Sequence, residues 1–213
     1  MPGGRLRGML YHLFKALLSL LFFFFNRWQV EGRENVPRRG GVILASNHTS
    51  YADPPVAGTA SPRSVFFMAK SELFRMPLLG TLLPLIQAFP VRRGRPDRRA
   101  LRQTLKLLEK GKVVGIFPEG KRSHNGRLQA PELGAAMVAL MSGAPVVPMA
   151  LIGTDRLLPL HSPLIRPAKV IVRFGRAQRF LPGSDGRISR ERLEQAGAEI
   201  MEGIRRLLPE EMR

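Results

Sequence analysis

Short apolar runs bounded by turn residues alternate along this chain with longer stretches in which leucines recur every three or four positions. Residues 42–45 read as a buried strand, and 64–69, 88–91, 112–117, 145–152 and 168–174 as five more, the last alternating charged and apolar side chains. Residues 30–37 read as a short edge strand ending in a turn. Between these runs, a helix starts at Asp53-Pro54-Pro55, and residues 78–86, 96–110 and 134–142 have helical spacing or small apolar composition. Residues 189–208 form an amphipathic helix whose Arg190-Glu-Arg-Leu-Glu pattern suits a solvated face with local ion pairs. Strands alternating with helices, with no repeat and no linker of distinct composition, predict an α/β fold: a single mixed sheet flanked by helices.

The first 28 residues follow a different rule. Residues 9–25 read MLYHLFKALLSLLFFFF, with Arg5 and Arg7 before them and Arg27-Trp28 after them. Only ten residues separate Lys15 from Asn26, short of the roughly twenty that a helix needs to cross a bilayer. No small-x-small cleavage site follows, which argues against a secretory signal peptide. Four consecutive phenylalanines flanked by cations suit a helix lying in one leaflet, with Trp28 at headgroup depth. The expected division is therefore residues 1–28 as a membrane-associating segment and 29–213 as one globular domain. The expected location is a membrane, monotopic or peripheral, on the cytoplasmic face.

Charge sharpens the picture of partners. The 34 Lys and Arg against 16 Asp and Glu give a formal net charge of +18, a field that attracts polyanions of any kind. Read with the apolar N-terminus, it points to anionic membrane lipids. A nucleic-acid-binding protein is the alternative from another class, but the chain lacks aromatic platforms interleaved with cations, so no nucleic-acid partner is expected. There is no cysteine, which removes disulfides, thiolate metal sites and cysteine nucleophiles together. The four histidines, His12, His48, His124 and His161, lie in no ligand spacing, so no metal is expected.

Reactive chemistry concentrates in Asn47-His48-Thr-Ser-Tyr-Ala-Asp53-Pro54. Residues five apart on an ideal helix lie about 140° from each other, so a His48–Asp53 pair fits a strand-to-helix turn better than a helix interior. There the carboxylate can hold one imidazole nitrogen while the other faces a substrate hydroxyl. The plainer reading is that Asp53 is the N-cap of a helix with proline at its start. Arg92-Arg93 after Phe89-Pro-Val91, and Phe117-Pro-Glu119-Gly120-Lys121-Arg122-Ser123, also place charged residues at strand ends, where α/β sheets assemble their sites. Two guanidinium groups can grip a phosphate, although in so basic a chain such a pair is often solvated surface.

In order and spacing, these segments resemble the glycerolipid acyltransferases, the family of 1-acylglycerol-3-phosphate acyltransferases. Asn47-His48-(four residues)-Asp53 is similar to the first block of that family, Phe89-Pro-Val-Arg92-Arg93 to its second, Phe117-Pro-Glu119-Gly120-Lys121-Arg122 to its third and Val147-Pro148 to its fourth. The resemblance implies transfer of a fatty acyl group from an acyl thioester, of coenzyme A or acyl carrier protein, to the free hydroxyl of lysophosphatidic acid. It implies no cofactor beyond that co-substrate. His48 is then the general base and Asp53 its orienting partner, with backbone N–H groups near the start of the Asp53-Pro-Pro helix as donors to the oxyanion. Arg93 is the residue expected to bind the acceptor phosphate, Glu119 and Gly120 the pair that positions glycerol, and Arg122 the arginine of the third block. Lys70 falls where the family has a lysine. Departures are Lys121 in place of the usual threonine, Arg92 where an acidic residue often stands, and Pro131-Glu132-Leu133-Gly134 where relatives often carry a lysine. These bear on the acceptor, and glycerol 3-phosphate or another lysolipid or glycolipid is the alternative. An acyl-enzyme on Ser50 is left open by the sequence.

Overall fold

Every residue of the strand Val42–Ser46 is buried, which places it in the middle of a sheet covered on both faces. The computed structural model describes Met9, Tyr11, Leu13, Lys15 and Ala16, and residues 28–92, 97–162, 164–183 and 186–213. Among these, the strands are β1 (Trp28–Glu31), β2 (Val42–Ser46), β3 (Val65–Lys70), β4 (Ala88–Val91), β5 (Val113–Ile116), β6 (Val146–Ile152) and β7 (Val170–Phe174). They form one sheet in the order β1-β7-β6-β2-β5-β3-β4. The neighbours from β6 to β4 are parallel, β7 runs antiparallel to β6, and β1 is parallel to β7. The helices are α1 (Asp53–Ala60), α2 (Pro77–Leu85), α3 (Arg98–Glu109), α4 (Leu133–Ser142), the single turn α5 (Thr154–Leu157) and α6 (Arg190–Arg205). A single mixed α/β sheet flanked by helices is thus what the apolar pattern predicted.

The period-two geometry of the strands sorts their side chains into two cores. Ile43, Ala45, Val114, Ile116, Val146 and Ala150 face one layer, where α3, α4 and α6 supply Leu108, Ala139, Leu140, Ile200 and Ile204. Val42, Leu44, Val113, Val147, Met149 and Leu151 face the other, closed by Val56 and Ala57 of α1 and by Leu157 of α5. The small residues of α4 let it pack closely beside α3 and α6. Close approach also explains Gly203 of α6, where a Cβ would come within 2.9 Å of Pro148 Cγ.

Two local expectations change. The edge strand expected over 30–37 ends at Glu31, because Gly32 takes a left-handed conformation (φ 69°) and a 3-10 turn, Arg33–Asn35, follows. A side chain at position 32 would also meet Phe174 O at 2.2 Å, so the reversal requires glycine. Asp53 is not an N-cap: that place is held by Ala52, and Asp53 is the first residue of α1.

The expected membrane-associating segment falls mainly on residues outside those described. Its described residues touch the domain at the far end of β3: the Tyr11 hydroxyl accepts the Val65 N–H at 3.2 Å, and Lys15 Nζ donates to Ser61 O. Burial, and then the Arg33 charge, push the Lys15 pKa down to about 8. No helix among the described residues is long and apolar enough to cross a membrane.

Phe67 reaches from β3 across Gly115 of β5 towards Phe117, with the two rings 6.1 Å apart. A Cβ at position 115 would lie 2.1 Å from Phe67 Cε1. Gly115→Ala is therefore expected to destabilise the domain by about 1–3 kcal/mol through overpacking. Denaturant unfolding should show a lower midpoint at an unchanged slope.

Candidate active site

The parallel strands deliver their C-terminal ends to one edge of the sheet, and the loops there carry the residues singled out by the sequence. After β2 the chain turns through His48 and enters α1 at Asp53. His48 Nδ1 lies 2.7 Å from Asp53 Oδ2, and the same oxygen accepts the Thr49 and Ser50 N–H groups at 2.7 Å each. Asp53 is 0% exposed and His48 5% exposed. A buried carboxylate needs such donors, and its place in the first turn of α1 adds the favourable end of the helix dipole. The Asp53 bond fixes the proton on Nδ1 and leaves Nε2 as the nitrogen able to take another. Nε2 makes no hydrogen bond among the described residues.

Glu119, on the loop after β5, braces the same turn. Its Oε1 accepts the His48 N–H at 2.8 Å and its Oε2 accepts the Gln129 N–H at 3.0 Å. At 2% exposure, desolvation pushes its pKa up to about 7, against the lowering effect of those two N–H groups, with the nearby Asp53 charge adding a smaller push upwards. The resemblance assigns Glu119 to glycerol, yet both of its oxygens are engaged by backbone, and it acts here on the position of His48. Phe117 stacks on the imidazole, with centroids 3.9 Å apart and planes at 16°. Gly120, in a left-handed conformation (φ 69°), turns the chain after Glu119; a Cβ there would meet Glu132 Cγ at 2.7 Å.

The remaining candidates divide. Arg122 lies against the His48 turn, its Cζ 3.5 Å from the centre of the Tyr51 ring. Lys121 is exposed beside it. Lys70 ends β3 and pairs with Glu72 at 3.7 Å, both exposed. Arg92 is exposed, its N–H held by Asp97 Oδ2 at 2.9 Å. Arg93 lies outside the described residues. No three His, Asp or Glu side chains among the described residues could hold a metal ion together.

The geometry narrows two readings that the sequence left open. The start of α1 offers few oxyanion donors: Pro54 and Pro55 have no N–H, and the N–H groups of Thr49, Ser50, Ala52, Asp53 and Val56 are engaged within the turn, which leaves the Tyr51 N–H, without a hydrogen bond among the described residues. Ser50 is not placed to be acylated. Its hydroxyl is fully buried, donates to Leu158 O at 2.7 Å and accepts the Ala52 N–H at 3.0 Å.

Residues 27–152 match the family profile described as Acyltransferase. The chain belongs to the acyltransferase family. This acyltransferase is 37% identical over 124 residues to 1-acyl-sn-glycerol-3-phosphate acyltransferase of Bacillus subtilis, the match covering 57% of the chain and 61% of that protein. It is 34% identical over 157 residues to the chloroplastic enzyme of the same name, LPAT1, from Arabidopsis thaliana, covering 71% of the chain and 44% of that protein. The chain thus spans about half the length of these curated relatives. The crystal structure of the 1-acyl-sn-glycerophosphate acyltransferase PlsC from Thermotoga maritima superposes with a TM-score of 0.74 at 26% identity, covering 94% of this chain and 80% of that one.

Sequence reasoning missed three supports of the acyltransferase site. Asn47 clasps β6, its Nδ2 donating to Leu151 O and its Oδ1 accepting the Leu151 N–H, each at 2.8 Å. Gln129 and Ser123 tie the loop after β5 to Glu119 and to His48 O, the latter at 2.7 Å. Phe117 carries the third, and an aromatic residue directly before Pro118-Glu119 was the one available signal.

The raised Glu119 pKa sets a sign. Between about pH 4.5 and pH 7 the unfolded chain releases this proton while the folded chain retains it, so this group's contribution to stability falls as pH rises and is level above 7. A glutamine side chain at this position does not titrate. The destabilisation caused by Glu119→Gln should therefore be larger at pH 5 than at pH 8, as measured by paired denaturant titrations of the two proteins.

Proposed function

We propose that this protein moves a fatty acyl group from an acyl thioester, of coenzyme A or acyl carrier protein, to the free hydroxyl of lysophosphatidic acid, giving phosphatidic acid. The observation that carries this reading is the His48 Nδ1 to Asp53 Oδ2 bond of 2.7 Å on a carboxylate already gripped by two backbone N–H groups. That arrangement holds the imidazole in the tautomer a general base requires.

In the proposed reaction, Nε2 of His48 takes the proton of the acceptor hydroxyl as its oxygen attacks the thioester carbonyl carbon. The tetrahedral intermediate collapses, the C–S bond breaks, and the imidazolium returns its proton to the departing thiolate. Asp53 stabilises the imidazolium meanwhile. Because the Ser50 hydroxyl is committed to backbone and the chain has no cysteine, direct transfer is favoured over an acyl-enzyme. Arg93, Arg122 and Lys121 are assigned to the acceptor phosphate, with Arg92 and Lys70 adding to the field. Glu119 and Gly120 hold the turn against which the glycerol moiety would lie.

Both acceptor and product are lipids, and the +18 charge and the apolar run over residues 9–25 suit a protein that works against an anionic leaflet. Residues 1–28 are accordingly assigned to membrane association and 29–213 to the acyltransferase domain, on the cytoplasmic face.

Thiol release from oleoyl-coenzyme A by purified protein in vesicles, with and without lysophosphatidic acid, tests the reading. Acceptor-dependent release is expected, falling by about 10²- to 10⁴-fold in His48→Ala. Undiminished turnover in that variant would remove His48 from the chemistry. Release that requires another lysolipid would change the acceptor and leave the base in place.

A further inference from the structure

We propose that Tyr51 is the positioning residue that presents Arg122 to an anionic headgroup, and that this pair makes the site prefer a phosphorylated acceptor to a neutral one. The proposal rests on the acyl-transfer reading above and deepens it. Tyr51 lies between the two ends of the turn, and its side chain enters none of that turn's hydrogen bonds. It is 55% exposed, too open to serve the core, and the Arg122 guanidinium lies 3.5 Å from its ring centroid.

The backbones that carry the two side chains are fixed with respect to each other. On one side, Thr49 and Ser50 are bound to Asp53, and the Ser50 hydroxyl is bound to Leu158 O. On the other, Glu119 takes the His48 N–H and the Ser123 N–H returns to His48 O, so Arg122 sits between two bonds that zip its loop to the turn. Only the long arginine side chain is then left to be ordered, and the ring orders it.

What the ring does not supply is an acceptor. A guanidinium held by its face keeps its N–H groups in the plane, directed outwards. Arg122 Nη1 is buried and has no hydrogen-bond partner among the described residues, and no carboxylate there pairs with Arg122. Other arginines of the chain do find carboxylates: Arg173 pairs with Glu31, and Arg190 with Glu194. A buried donor without an acceptor, on a cation aligned by an aromatic face of the His48–Asp53 turn, fits a ligand that brings its own negative oxygens. A phosphate monoester does so, and a neutral glycerolipid does not.

The test compares the full chain with Tyr51→Ala and Tyr51→Phe, using lysophosphatidic acid and a monoacylglycerol of the same acyl chain as acceptors. Tyr51→Ala should lower the kcat/KM preference for the phosphorylated acceptor by about 2- to 30-fold, the range for loss of a cation–π contact, through a higher KM. Tyr51→Phe, which keeps the ring face, should retain the preference. A fall in kcat at unchanged KM, an equal loss with both acceptors, or a phenylalanine variant as poor as alanine would each overturn the proposal. If the wild type transfers no acyl group to any acceptor, the functional reading fails separately. Calorimetric binding of glycerol 3-phosphate then decides the positioning role: weaker binding to Tyr51→Ala but not to Tyr51→Phe sustains it, and equal binding to all three proteins, or none to the wild type, ends it.

Discussion

One carboxylate oxygen organises this site. Asp53 Oδ2 gathers an imidazole N–H and two backbone N–H groups into the space of a single turn, with no water-exposed surface left on the residue. A buried charge is tolerated only with such donors, and the three it recruits are the ones that fix the path from β2 into α1. The geometry of the His48–Asp53 pair and the local fold are therefore one arrangement. Removing the carboxylate would release the ring and the turn at the same time.

A second layer keeps that turn in register with the sheet. Asn47 behaves as an extra rung between β2 and β6, Glu119 reaches over from the loop after β5, and Phe117 backs the imidazole face. All three come from strands adjacent to β2 or from its own end. The support is thus a product of strand order, and the segment joining β6 to the reversed strand β7 adds Leu158, whose O accepts the Ser50 hydroxyl.

Strand identities were legible where the buried runs are short, apolar and set off by turn residues, as at residues 42–45 after Gly40-Gly41, where the strand is Val42–Ser46, and the strand read over 88–91 coincides with Ala88–Val91. The helix read over 96–110 occupies Arg98–Glu109, starting where Asp97 accepts the Arg99 and Ala100 N–H groups. The His48–Asp53 pair was legible from spacing, but the function of Asp53 within the turn was open to a second reading as a helix cap. What was not legible depends on pairs far apart in sequence. Asn47 and Leu151 meet only because β6 lies beside β2, and Gln129 reaches Glu119 only through the fold of its loop. Likewise, Ser50 reads as a free hydroxyl until Leu158 is seen to hold it.

Pro90 gives β4 a further property. That strand is the sheet's outer boundary on the side of β3, and a strand so placed offers unpaired backbone groups to any extended chain it meets. A proline is accommodated there only where its missing N–H would have pointed outwards. The edge thus lacks a donor midway along its four residues, and a strand added by another molecule would find its ladder broken. That single ring therefore disfavours edge-to-edge pairing between copies of this strongly basic protein at the strand leading into Arg92.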